Sequence, residues 1–134
     1  MQIDFPIWVG IIFWMTTLLF YLLIAIIMVI VYNNIIPFKG FKAINFFGML
    51  FVRKGCVINP TDLNHERIHT AQIKEMLYIG FYVWYILEWF IRLFKKGNAY
   101  RNISFEREAY RHQQDLDYLN DRARFAWWKY MKTF

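Results

Sequence analysis

The sequence predicts a mainly α-helical membrane protein. It should contain one or two transmembrane helices, a helix bearing a candidate metal site, a later helix that completes the site, and a short β-hairpin. Three observations carry this expectation. Hydrophobic residues make up 58% and aromatic residues 22% of the 134-residue chain, well above an ordinary soluble domain. That surplus is concentrated in two long runs. The polar stretch between the runs contains His65-Glu66-Arg67-Ile68-His69, an H-E-x-x-H pattern opening a helix.

The first run, residues 7–32, carries no charge. As a helix rising 1.5 Å per residue it is long enough for a hydrocarbon core of about 30 Å. No basic segment precedes it and no small-x-small cleavage site ends it, which argues for a span over a signal peptide. Asp4 before the run and Lys39 and Lys42 after it orient the following domain, and with it the candidate site, toward the cytoplasm. Trp8, Trp14 and Tyr32 suit the two interfaces. Residues 1–36 thus read as an N-terminal transmembrane segment and 37–134 as one membrane-associated domain. The formal charge is +6, but Lys39, Lys42, Arg53, Lys54, Lys95 and Lys96 flank apolar runs. They read as contacts to a lipid bilayer, and no nucleic-acid partner is expected. Cys56 is the only cysteine, so no intrachain disulfide forms and it reads as a small apolar filler.

Asn33-Asn34 and Pro37 end the first helix. Residues 43–58 then predict a hairpin with strands over 44–52 and 56–58 around an Arg53-Lys54-Gly55 turn. It would cover the site helix or offer an edge strand to an extended peptide. Thr61 or Asp62 is the expected N-cap of the site helix, residues 62–75, which runs into the second apolar run, 76–94. Glu88 and Arg92 lie four apart on that run and read as a structural ion pair or a contact facing the first helix. An unbroken helix from His65 to Phe94 would be roughly 45 Å long. The return to Glu106 covers at most about 40 Å, so the reading needs a bend, with Gly80 the candidate, or an oblique second run. Lys95-Lys96-Gly97-Asn98 is a helix stop. Ser104 is the expected N-cap of the next helix, 104–120. The tail, 121–134, mixes Phe125, Trp127, Trp128, Tyr130 and Phe134 with Arg122, Arg124, Lys129 and Lys132, as an interfacial segment does.

On a helix His65 and His69 share one face, where two imidazoles can bind one divalent ion, zinc by expectation. Glu66 is placed to deprotonate a metal-activated water. Gln72 follows one turn later on nearly the same face, as an outer partner or a solvated group. A zinc hydrolase needs a third protein ligand, and Glu106, Glu108 and His112 are the candidates. Glu88 lies more than five turns from His69 on the same helix and cannot reach. Glu106 and Glu108 project from different faces, so at most one ligates, and spacing does not choose among the three.

The pairing of His65-Glu66-x-x-His69 with Phe105-Glu106-Arg107-Glu108-Ala109-Tyr110 resembles the gluzincin metallopeptidases. It is most similar to their integral-membrane groups, the prenyl-protein (CAAX) endopeptidases with their bacterial heat-shock relatives and the β-lactam-sensor peptidases. The resemblance implies a minimal zincin-like fold, Zn²⁺ and a peptide substrate. It aligns Glu106 with the family's third ligand and puts Tyr110 where the family has an aspartate. It also implies that a strand before the site helix receives substrate. The expected chemistry is peptide hydrolysis with Glu66 as base and His112 or Tyr110 donating to the oxyanion. The alternative is a non-enzymatic membrane protein in which the same residues form a structural or vestigial metal site.

Overall fold

The computed structural model describes residues 6–26, 29–37 and 39–131, with the backbone alone for 20–26. The first uncharged run forms α1, Ile7–Ile26, whose described side chains are largely exposed; Ile7, Phe13 and Trp14 are all more than half exposed. The helix ends before Tyr32. Ile30–Asn33, rich in β-branched and aromatic side chains, forms strand β1 instead.

β1 pairs in parallel with β3, Met49–Arg53, and β2, Ala43–Phe46, pairs antiparallel with β3, giving the order β1-β3-β2. The alternation along the central strand is clear, with Leu50 and Val52 fully buried. A hairpin is therefore present, but its turn is Phe47-Gly48 and not Arg53-Lys54-Gly55. Both turn residues have positive φ, 52° and 82°. That backbone matches the twist of a two-residue hairpin, and glycine supplies it without a steric penalty. Residues 56–58, expected as a strand, form no ladder.

The next helix, α2, is Pro60–Glu75. Its N-cap is Asn59, two residues earlier than expected at the nearest. The Asn59 side chain accepts from the Asp62 amide at 2.7 Å, and the Asp62 carboxylate accepts from the Asn59 amide at 3.1 Å. This reciprocal pair satisfies two of the helix's orphan donors, and Pro60 at the first helical position has no N–H to satisfy.

α2 and α3, Ile79–Leu93, are separate helices meeting at a 110° bend. The break is at Leu77 and Tyr78, with φ of 51° and 61°, and not at Gly80, which is helical. Among the described residues no single helix is long and apolar enough to cross a membrane; α2 and α3 satisfy that test only jointly, across their bend.

α4 is Ser104–His112, so the expected long helix stops early and a short α5, Tyr118–Asp121, follows. The reason is Asn64. Its amide donates to the carbonyls of His112, Gln113 and Asp115 at 3.2, 3.1 and 2.7 Å, satisfying acceptors that a helix end leaves open. Ser104 is the first helical residue, preceded by Ile103 at the cap. Its amide and hydroxyl donate to Glu88 at 2.9 and 2.6 Å, while Glu88 also accepts from Arg92. The Glu88–Arg92 pair is structural: a carboxylate from α3 holds the start of α4.

A 3₁₀ segment, Ala126–Tyr130, closes the described chain. It does not behave as a wholly interfacial tail. Trp127 is 1% exposed and packs with Ile73, Phe81, Ile103 and Phe105 in the core, while the neighbouring Trp128 is exposed. The fold class is thus mainly helical, with five helices and one three-stranded sheet among the described residues.

Candidate metal centre

The capped start of α2 sends His65 and His69 inward from adjacent turns. The α2–α3 bend lets the chain double back, and α4 then crosses α2. Glu106, in the first turn of α4, meets both imidazoles there. His65 Nε2 and His69 Nε2 are 3.0 Å apart. His65 Nε2 lies 3.4 Å from Glu106 Oε2, and His69 Nε2 lies 3.3 Å from Glu106 Oε1. All three residues are buried, and one donor atom from each lies within 4.8 Å of the others. Around a tetrahedral ion with bonds of about 2.0–2.1 Å, neighbouring donors stand about 3.3–3.4 Å apart. The two histidine–glutamate distances match that figure, and the Nε2–Nε2 distance of 3.0 Å is a little shorter.

Protonation sharpens the point. His69 Nδ1 faces Gln72 Oε1 at 2.8 Å. The Gln72 amide nitrogen donates to Phe105 O and Glu108 Oε2, both at 3.1 Å, which fixes Oε1 as the atom facing the ring. An acceptor at Nδ1 puts the proton on Nδ1, leaving Nε2 as a lone pair. Gln113 Oε1 faces His65 Nδ1 at 3.1 Å and acts likewise. In the neutral form two Nε2 lone pairs and a carboxylate therefore converge with no hydrogen between them. Glu106 Oε2 is buried and has no hydrogen-bond partner. Three converging acceptors call for a cation, and this buried His-His-Glu group can hold a metal ion.

In the metal-free state a proton fills part of that demand. Burial works against a charged His69, but the adjacent Glu106 carboxylate outweighs it and raises the imidazole to about 9. Burial also disfavours the Glu106 anion, and the two imidazoles more than compensate, so its carboxyl titrates well below the usual range. Glu66 is shifted the other way: burial raises it against the pull of both histidines.

The other expected site residues divide. Gln72 is an outer partner of His69. Glu108 is not a ligand. It is fully buried but turned toward Arg122 Nε at 2.5 Å and Tyr118 at 3.0 Å, and Arg122 also pairs with Glu75 at 2.6 Å. His112 is not at the centre either. Its ring stacks on Tyr118 at 3.8 Å and its Nε2 is bonded to the Tyr130 hydroxyl at 2.8 Å, which removes it as an oxyanion donor. Tyr110 stands beside His65, ring centroids 4.7 Å apart. Sequence reasoning missed Gln113, Tyr85 and Tyr100. Tyr85 donates to Glu106 Oε1 at 2.8 Å. Tyr100 faces Glu106 and Tyr110, and burial together with the Glu106 charge keeps its phenol protonated far above its ordinary range. Gln113 immediately follows His112, one of the three candidate ligands that spacing left open.

A cleft passes the centre along β2. On one side a cavity of about 190 Å³ is bounded by Phe41, Ile44, Phe81, Tyr82 and Tyr85. On the other, about 330 Å³ is bounded by Lys42, Asp62, His65, Tyr110 and Gln113. Phe41, Ala43, Glu66 and Tyr100 border both. Asn45 fixes the strand against the helix by donating to Glu66 O and Thr70 Oγ1, each at 2.8 Å. No family model, no curated protein and no solved structure matches the chain.

Proposed function

We propose that the protein is a membrane-anchored zinc metallopeptidase of the gluzincin type. The observation that carries the reading is the convergence of His65, His69 and Glu106 at tetrahedral spacing beside an open cleft. Two imidazoles and one carboxylate suit zinc, and three protein donors leave a fourth position for water or substrate. A structural zinc site is instead closed by four protein ligands, and among the described residues the cluster has three.

Zinc, when bound, supplies a Lewis acid and lowers the pKa of a water toward neutrality. Glu66 borders both arms of the cleft, where its carboxylate would take the proton of a water activated at the centre. Tyr100 and Tyr110 also border the cleft and would donate to a substrate carbonyl oxygen bound there. The outer edge of β2 borders the cleft and can receive an extended peptide by backbone pairing. Gln72 and Gln113 hold the two imidazoles in the ligating tautomer. Membrane attachment rests on the uncharged run 7–32 and on the exposed apolar side chains of α1, with the catalytic side cytoplasmic.

The test is metal content and peptide hydrolysis on the same purified chain. The wild type should bind one zinc, and His65→Ala and Glu106→Gln should lose it. Glu66→Gln should keep zinc and lose hydrolysis by about 10²–10⁴-fold, the usual contribution of a general base. Absence of zinc in the wild type sinks the metal reading. Unchanged turnover in Glu66→Gln removes Glu66 as the base.

A further inference from the structure

Phe81, Tyr85, Glu88 and Arg92 recur at helical spacing along α3 and share its inward face. That face meets the start of α4 twice. Glu88 accepts from the amide and hydroxyl of Ser104. Tyr85 donates to Glu106 Oε1 at 2.8 Å, since an ionised carboxylate can only accept. The Tyr85 ring lies nearly parallel to that of Phe105, with 11° between the planes and centroids 6.3 Å apart. Its centroid is 5.6 Å from that of Phe81. Both phenylalanines belong to the buried core, so packing fixes where the hydroxyl points.

The phenol makes the two Glu106 oxygens unequal. By distance they are alike, Oε1 at 3.3 Å from His69 Nε2 and Oε2 at 3.4 Å from His65 Nε2. Oε1 has the Tyr85 hydroxyl as its partner. Oε2 is buried and has none, although the phenol of Tyr100 also faces Glu106. A buried carboxylate oxygen left unpaired is costly, so Oε2 is the atom that calls for a cation. A carboxylate can bind an ion through one oxygen or through both. The second oxygen would occupy the position that a hydrolytic zinc site keeps open. We propose that Tyr85 is a positioning residue that restricts Glu106 to one ligating oxygen, Oε2, and so keeps the fourth position open. Tyr85 has this role only if the centre holds a metal, as proposed above. It gives the apolar helix α3 a part in the centre's chemistry beside its part in the core.

The experiment loads the purified full chain, in detergent, with cobalt(II) in place of zinc, because the visible bands of cobalt report coordination number. The wild type should give the intense bands of a four-coordinate ion. Tyr85→Phe removes only the hydroxyl and frees Oε1, so its bands should weaken to those of a five-coordinate ion. Zinc affinity, read by chelator competition, should fall about 10–100-fold in the same variant, as it does when a ligand loses its outer partner. Tyr85→Met also lacks the hydroxyl and fills the space flexibly, and it gives the same reading should Tyr85→Phe fail to fold. Near-UV circular dichroism checks the fold of each variant. Tyr118→Phe is the control, because it removes a phenol from Glu108 and not from Glu106. Its cobalt spectrum should match the wild type. A five-coordinate wild type, an unchanged spectrum in the Tyr85 variants, or the same spectral change in Tyr118→Phe overturns the proposal and leaves the metal reading standing. A wild type that takes up neither zinc nor cobalt overturns both.

Discussion

His69 is where a proton and the proposed metal would compete. Its folded-state pKa of about 9 lies above the ordinary value of 6.5, so the metal-free fold takes up a proton there. That contribution is complete below about pH 6.5 and is lost as pH rises through about 9. Glu106 is depressed, so its contribution is present above its ordinary range and is lost in acid. The metal-free protein should therefore lose stability between about pH 6.5 and 9. With zinc present that slope should vanish, because ligation needs Nε2 free, and an affinity that rises about tenfold per pH unit up to that pKa offsets the loss of the proton. Thermal melts across this range, with chelator and with zinc, check the sign; parallel slopes would remove His69 from the site. Gln72→Met tests the tautomer argument. It should lower metal affinity about 10–100-fold, as loss of an outer hydrogen-bond partner does, read by chelator competition. The two histidines were legible in the sequence because a helix repeats its face every four residues. Gln113 was not, since nothing local says that the chain turns just after His112 and carries the amide back to His65. Glu106 and Glu108 look alike in sequence; burial of Arg122 between Glu75 and Glu108 is what separates them.

The elements that create the site are two helix ends and a break. Leu77 and Tyr78 resemble ordinary helix residues, so the position of the break between α2 and α3 was not legible, although chain length called for a bend. Glycine and proline carry most such signals, and here neither occupies the left-handed positions. Leu77 is 83% exposed at φ 51°, so its side chain adds little packing while its backbone is strained. Leu77→Gly should relieve that strain and stabilise the fold by about 0.5–1 kcal/mol, after the entropy that glycine loses on folding. Urea melts give the sign, and destabilisation would mean that Leu77 contributes packing the break depends on. The hairpin turn was misplaced for a similar reason: Lys54-Gly55 and Phe47-Gly48 both end in glycine, and only cross-strand register distinguishes them. Glu88 was visible as half of an ion pair, but its grip on Ser104 was not, because that bond joins two helices. Glu88→Ala leaves buried Arg92 short of its partner and frees the start of α4. It should cost about 3–5 kcal/mol in denaturant melts. Zinc affinity should fall with it, since Glu106 stands two residues after Ser104.

At the scale of the whole molecule, composition announced apolar segments and left their division open. The same aromatic surplus supplies both the exposed face of α1 and a core that ties α2, α3, α4 and the C-terminal 3₁₀ segment together through Ile73, Phe81, Phe105 and Trp127. Apolarity does not tell a side chain in lipid from one in a protein core, which is why Trp127 was read as interfacial. The sheet shows where the apolar run and the domain meet. Ile30, Val31 and Tyr32 continue the uncharged run, yet they pair with Leu50, Phe51 and Val52 of the central strand. β2, on the other side of that strand, borders the metal cleft. The end of the apolar run is therefore part of the scaffold. Two truncations separate the roles. Removing residues 1–28 should abolish co-sedimentation with phosphatidylcholine vesicles and leave zinc affinity within about threefold, since no ligand, outer partner or strand is lost. Removing residues 1–36 should also strip β1 from the sheet, expose Leu50 and Val52 along the orphaned edge of β3, and promote aggregation before the metal is lost. Continued vesicle binding by the shorter truncation would move the anchor to α3, whose Val83, Ile86 and Phe90 are all more than half exposed.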